Sequence, residues 1–290
     1  MISISVQAQT EEIINSGNSK LHYRIFGKGK PMLIINGGPG MNSDGFTNIA
    51  QTLTQYDYQT ITYDQRGTGK STVTSLNSKT ITMDLMVEDM ENLRQYLNIE
   101  KWTLFGHSFG GIMAAYYASK HPERIDKLIL SSSGGINMEF TSYVAKRQQA
   151  NLTQMQRDSL AYFQKKQDQG DTSLETRKGR TKYLAFAYVF DKSKAPIIAE
   201  RLQQFNGEIN NLVIQDLFKI NYDCSRKFLN FDRPVLVLQG KNDIITVDTA
   251  QKTAKAFPNS KLVLMDHCAH YGWLDVPEVY FANIQSFLNS

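Results

Sequence analysis

Between Leu21 and Gly135, short apolar runs alternate with stretches whose apolar residues recur every three or four positions, which predicts a parallel sheet with crossover helices. Leu21 to Phe26 alternates and reads as an early strand. Pro31 to Ile35 is a continuous apolar run ending in Asn36-Gly-Gly-Pro-Gly40, and Tyr58 to Tyr63 is another, ending in Asp64-Gln-Arg-Gly-Thr-Gly69. Met86, Val87, Met90, Leu93 and Leu97 share one helical face, with Thr82 as a candidate N-cap ahead of them. Trp102 to Phe105 predicts a strand running into Gly106-His-Ser-Phe-Gly110, Ile112 to Lys120 the helix after it, and Ile125 to Leu130 the next strand.

From about Ile136 to Asn230 the rhythm changes: the chain becomes polar, Gln-rich and helix-like, and no segment reads as a buried strand. The α/β rhythm returns with a strand at Pro234 to Leu238, a helix near Thr249 to Ala256, a strand at Lys261 to Met265 and a last helix near Val279 to Leu288. The expected organisation is one α/β core, residues 1–135 and 231–290, interrupted by a helical insertion over 136–230.

Composition narrows the picture. With 41% hydrophobic residues in 290, the chain can bury one large core, which excludes disorder as its main state. The longest apolar stretch, Leu184 to Phe190, falls far short of the ~20 residues a membrane span needs. A net charge of +4 is too small to argue for a polyanion partner. Between Thr141 and Lys182 there are nine Lys and Arg against four Asp and Glu, read as a solvated helix face because no basic and aromatic interleaving accompanies them; no nucleic acid is expected as a partner. Cys224 and Cys268 match no metal or redox spacing. Residues Ile2 to Gln9, with their Val-x-Ala ending, read either as the stump of an export signal or as a frayed strand or tail, which leaves both a cytoplasmic and a periplasmic or secreted location open.

The chemistry concentrates in Gly106-His107-Ser108-Phe109-Gly110, a G-x-S-x-G sequence lying directly after an apolar strand and directly before a helix. A sharp turn there strains the backbone of Ser108 and exposes its hydroxyl, and the flanking glycines avoid collisions with the neighbouring strand and helix. A serine hydroxyl needs a base within hydrogen-bond reach, itself oriented by an acid. Of the five histidines, His22 lies on an early strand and His121 at a helix end before Pro122, while the position of His107 inside the elbow points it away from the nucleophile. His267 and His270 follow the last strand. For the acid, Asp243 follows a strand's carboxyl end, where ligands meet an open parallel sheet, whereas Asp248 starts a helix. Ser108, Asp243 and His270 then stand in the Ser…Asp…His order of the hydrolase elbow.

An oxyanion needs backbone N–H donors, one from the residue after the nucleophile and one from a loop after an earlier strand. Phe109 supplies the first, and Gly38, with Gly37 as the alternative, the second. Gly67-Thr-Gly-Lys-Ser71 looks like the end of a phosphate loop, but the required first glycine is Asp64, an acid that would repel phosphate.

With these pieces in place the sequence resembles the α/β-hydrolase superfamily, and within it the proline iminopeptidase-like branch of serine peptidases, over about two thirds of the chain. Asn36-Gly-Gly-Pro-Gly40 is similar to that branch's H-G-G-P-G, Asp64-Gln-Arg-Gly-Thr-Gly-Lys-Ser71 to its D-Q-R-G-x-G-x-S, and Gly240-Lys-Asn-Asp243 and His270-Tyr-Gly-Trp273 to its acid and histidine segments. Two departures stand out: Asn36 replaces the first histidine, and the elbow reads G-H-S-F-G-G rather than G-G-S-W-G. The resemblance implies a mostly parallel sheet with a helical cap inserted after the sixth strand. It also implies cap glutamates that take the free amine of a substrate's N-terminus. Of Glu139, Glu175, Glu200 and Glu208, the pair Glu200 and Glu208 lies nearest the expected positions, with two solvent-facing helix glutamates as the alternative.

The sequence therefore leads to a cofactor-free, metal-free serine hydrolase working through an acyl-enzyme on a small-molecule or short-peptide substrate. The expected substrate is a short peptide or amide with N-terminal proline or a small residue. A small acyl ester is the alternative, and a catalytically silent receptor on the same fold is the rival from another class. Related enzymes with an aspartate nucleophile are disfavoured because position 108 is serine.

Overall fold

The computed structural model describes residues 10–290, so the reading of Ile2 to Gln9 lies outside the described residues. A nine-stranded sheet runs in the order β1-β2-β4-β3-β6-β7-β8-β9: β1 Thr10–Ser16, β2 Ser19–Phe26, β3 Lys30–Ile35, β4 Tyr58–Tyr63, β6 Trp102–His107, β7 Ile125–Ser131, β8 Val235–Gly240 and β9 Ser260–Met265, with the two-residue β5 Thr72–Val73 pairing on β2. The pairs β1/β2, β2/β4 and β2/β5 are antiparallel, and every pair from β4 onward is parallel. All six residues of β6 and all six of β8 are buried, as strands covered by helices on both faces should be.

One apolar layer joins α2 Met83–Tyr96 and α3 Phe109–Lys120 to one face of the sheet; the other joins α1 Thr47–Leu53 and α11 Pro277–Leu288 to the opposite face. The side chain of Thr82 accepts a hydrogen bond from Leu85 N at 3.2 Å, and Met86, Val87, Met90 and Leu93 of α2 are buried, as their spacing predicts. Residue 97 caps the helix instead of continuing it. β1 was not legible: Glu11, Glu12 and Ile13 are exposed on an edge strand, so burial does not impose the alternation that betrays a strand.

Between β7, the sixth strand once the two-residue β5 is set aside, and β8 the chain forms five helices: α4 Val144–Ala150, α5 Gln154–Asp168, α6 Leu174–Ala185, α7 Ala195–Leu202 and α8 Gly207–Lys219. The neck of this insertion is tied by an isolated bridge between Asn137 and Asp223. A small apolar cluster that includes Val189, Ile198, Leu202, Met41 and Tyr271 seats it on the loops after β3 and β9. The last inserted helix goes further. Ile209, Val213 and Leu217 of α8 belong to the main core, and Asp216 accepts the Met83 N–H at 2.8 Å, capping α2.

Candidate active site

Ser108 sits between the last residue of β6 and the first of α3 with φ 56° and ψ −117°. A non-glycine residue held there is strained, and the strain persists because the surroundings over-determine it. Its N–H donates to the Ser131 carbonyl at 3.0 Å, and its carbonyl accepts from Gly111 N and Gly134 N. The two motif glycines are required by space: a Cβ on Gly110 would lie 2.0 Å from the Ile35 carbonyl oxygen, and one on Gly106 would lie 2.4 Å from that of Gly110. Tight packing of β3, β6 and α3 thus makes the turn that presents the hydroxyl.

His270 is buried on the loop after β9. Its Nδ1 lies 2.8 Å from Oδ1 of Asp243, which is fully buried beyond the end of β8. That carboxylate also accepts Ile245 N at 3.1 Å on Oδ1 and Gln239 Nε2 at 2.9 Å on Oδ2, while Arg147 Nη2 holds the Asp243 carbonyl at 2.7 Å. Because the carboxylate acts as acceptor throughout, Nδ1 carries a proton, and the neutral tautomer that fits this contact has its lone pair on Nε2. The backbone N–H of His270 donates to the Tyr188 carbonyl at 3.0 Å, and the Tyr188 ring stands edge-on to the imidazole.

Ser108 and His270 line one cavity of about 610 Å³ between the sheet and the inserted helices. Among the described residues no hydrogen bond joins the Ser108 hydroxyl to His270; such bonds commonly tighten only when substrate arrives. Phe109 and Gly38 line the same cavity. Phe109 opens α3, where helix amides have no intrahelical acceptor, and Gly38 takes φ +73°, a conformation that suits glycine.

The D-Q-R-G-x-G-x-S segment braces this rim. Asp64 accepts from Ser43 N, Ser43 Oγ and Lys70 N and pairs with His22, so the residue at the place of a phosphate-loop glycine is an internal hub. Gln65 Nε2 donates to the Asn36 carbonyl at 2.8 Å, and Arg66 forms a buried bidentate pair with Asp89. Asn36, in the place of the branch's histidine, is buried and spans its own loop, donating to the carbonyls of Gly37 and Met41.

The other candidates lie elsewhere. His267 is exposed against Phe190, and Asp248 is exposed in the first turn of α9 Val247–Ala256, paired with Lys252. Glu200 at the end of α7 and Glu208 at the start of α8 are exposed, and neither lines the cavity. The expected amine-reading pair is therefore corrected: burial goes to their neighbours Arg201 and Ile209, which turns both carboxylates to water.

Sequence reasoning missed three contributors. His107 does not point away from the site; it lines the cavity with its ring centroid 4.7 Å from that of His270 and 4.8 Å from Trp273. Burial holds its pKa well below 6.5, with the charges of His270 and Arg201 adding and the Ser131 backbone opposing. Arg201 of α7 reaches down to donate Nη2 to the Gly37 carbonyl at 2.9 Å, its guanidinium 4.7 Å from the Phe46 ring centroid. Asp275 accepts the N–H groups of Ala269, Phe190 and Asp191, tying the histidine loop to the insertion. A lone Arg or Asp of this kind leaves no spacing signal.

A sequence model of the alpha/beta hydrolase fold matches residues 30–277. The chain is 27% identical to the proline iminopeptidase of Heyndrickxia coagulans over 97% of its own length and 99% of the relative's. Among solved structures it superimposes on an esterase from Exiguobacterium antarcticum with a TM-score of 0.74 at 19% identity, covering 97% of this chain and 100% of that one. It superimposes on proline iminopeptidase from Mycobacterium smegmatis with a TM-score of 0.71 at 21% identity, covering 97% and 98%. These two likenesses speak for the fold alone.

Proposed function

This chain belongs to the alpha/beta hydrolase fold family, and we propose that within it the chain acts as a serine hydrolase through an acyl-enzyme. Ser108 attacks a carbonyl, His270 Nε2 takes the hydroxyl proton and later delivers it to the leaving group, and Asp243 holds the imidazole in the required tautomer. The N–H groups of Phe109 and Gly38 receive the oxyanion, and water then releases the acyl group. The observation that carries this reading is the strained Ser108 facing the same cavity as an imidazole held at 2.8 Å by a buried carboxylate.

For substrate, the full-length similarity to an iminopeptidase supports cleavage of an N-terminal proline or small residue from a short peptide. A second reading, hydrolysis of a small acyl ester, is favoured by the absence of any Asp or Glu among the described residues that line the cavity. An ammonium group brought there would meet no counter-charge. Steady-state kinetics on proline 4-nitroanilide and 4-nitrophenyl acetate tests both layers. Turnover of either, lost by at least about 1,000-fold in Ser108→Ala, supports the hydrolase. Ester turnover with no anilide turnover removes the peptidase.

A further inference from the structure

The wall of the cavity opposite the sheet carries an unusual charge pattern. Two arginines, Arg157 of α5 and Arg180 of α6, line it together with Gln148, Gln164 and Tyr188. Arg157 is spent on its own helix start, donating to the carbonyls of Gln149 and Leu152 and to the Gln154 side chain. Arg180 is not: only its Nε is bound, donating to Gln164 Oε1 at 2.6 Å. Among the described residues its two terminal nitrogens have no hydrogen-bond partner, and no ion pair reaches it. The nearest acid in its network, the exposed Asp168, is one residue removed, accepting from Gln164 Nε2 at 2.8 Å.

A guanidinium that lines a cavity with its Nε pinned by a neighbour and its terminal nitrogens unpaired can receive a planar anion, because the two terminal N–H groups match the two oxygens of a carboxylate. Tyr188 lines the same cavity between these groups: its ring lies 5.4 Å from the His270 ring, centroid to centroid, and its hydroxyl accepts from Gln148 Nε2 at 2.8 Å. Resting on the serine-hydrolase reading, we infer that Arg180, backed by Gln164, selects substrates that carry a carboxylate several bonds away from the scissile carbonyl. The site reads an anion where an ammonium-reading pair had been expected.

The test uses three 4-nitrophenyl esters of similar length: the glutarate half-ester, which is anionic; the 5-methylhexanoate, its neutral isostere; and the 5-aminopentanoate, which is cationic. The wild type should prefer the glutarate ester in kcat/KM over the isostere by about tenfold or more, with the cationic ester the poorest. Arg180→Gln should abolish that preference while changing the isostere by less than about twofold, and Arg180→Lys should restore part of it. Binding of the same esters to the Ser108→Ala protein reads the selectivity without turnover, so it stands even if hydrolysis fails. Equal binding and equal turnover of the anionic and neutral esters, or an Arg180→Gln change that lowers both alike, would overturn the inference. Absence of turnover with the anion preference kept in binding would instead remove the hydrolase reading alone.

Discussion

The ring of His107 lies 4.7 Å from the ring of His270, centroid to centroid, so the residue before the nucleophile packs directly on the proposed base. Phe46, Tyr271 and Trp273 also pack on it, and burial first, then the charges of His270 and Arg201, disfavour a positive charge there. The structure therefore holds His107 neutral.

That neutrality has a sign in stability. In the unfolded chain His107 titrates near 6.5; in the folded chain its pKa is well below that. Below pH 6.5 the unfolded state binds a proton that the native state refuses, so the native state loses stability as pH falls through this window. Urea unfolding at pH 7.5 and 5.5 should show the wild type losing about 1.4 kcal/mol more than His107→Phe across that interval. Equal losses would show that the imidazole is protonated in place.

Asp243→Asn should be far more damaging to rate than to fold. Oδ1 accepts from both His270 and Ile245, and Oδ2 accepts from Gln239, so either orientation of an amide sets an N–H against an N–H or traps the imidazole in the wrong tautomer. A fall in kcat of about 10,000-fold, the size seen for this change in serine proteases, with an unchanged circular dichroism spectrum, is expected. A fall of less than about tenfold would mean that the acid does not set the tautomer.

Arg201 separates positioning from stability. Its guanidinium is buried, has no acid partner among the described residues, and holds the Gly37 carbonyl beside the proposed oxyanion donor Gly38. Arg201→Met removes a buried charge, a change that often costs nothing in stability, but it frees the loop that must place an N–H on the oxyanion. The expected outcome is a kcat lower by about tenfold or more, with KM and the melting temperature little altered. Unchanged kcat would show that the loop is held by Asn36 and Gln65 alone.

The legible parts of this chain are those where one physical demand dictates residue type. The turn at Ser108 between its glycines and the positions of Asp243 after β8 and His270 after β9 could be placed from sequence because the turn geometry and the strand ends leave few alternatives. The exposed histidine at 267 and the buried one at 270 could not be told apart by type or chain order; only the resemblance to the branch's His-Tyr-Gly-Trp segment pointed to 270. Helix facing was the weakest ground. Glu200 and Glu208 sit beside inward residues, and a rotation of one position decides whether a carboxylate meets the cavity or water. The reach of Arg201 to Gly37 joins segments far apart in sequence, and the pinning of Arg180 by Gln164 depends on how α5 and α6 pair, neither of which a local pattern records.

Activation of the Ser108 hydroxyl as a nucleophile is the premise of the proposed hydrolase activity. Incubation with a neutral fluorophosphonate, followed by intact-mass and peptide-mass analysis, reads this directly. The expected result is one adduct per chain on the peptide containing Ser108, absent in Ser108→Ala and formed at least about 100-fold more slowly in His270→Ala. An adduct on another residue, or labelling of Ser108 at the same rate without the imidazole, would contradict it.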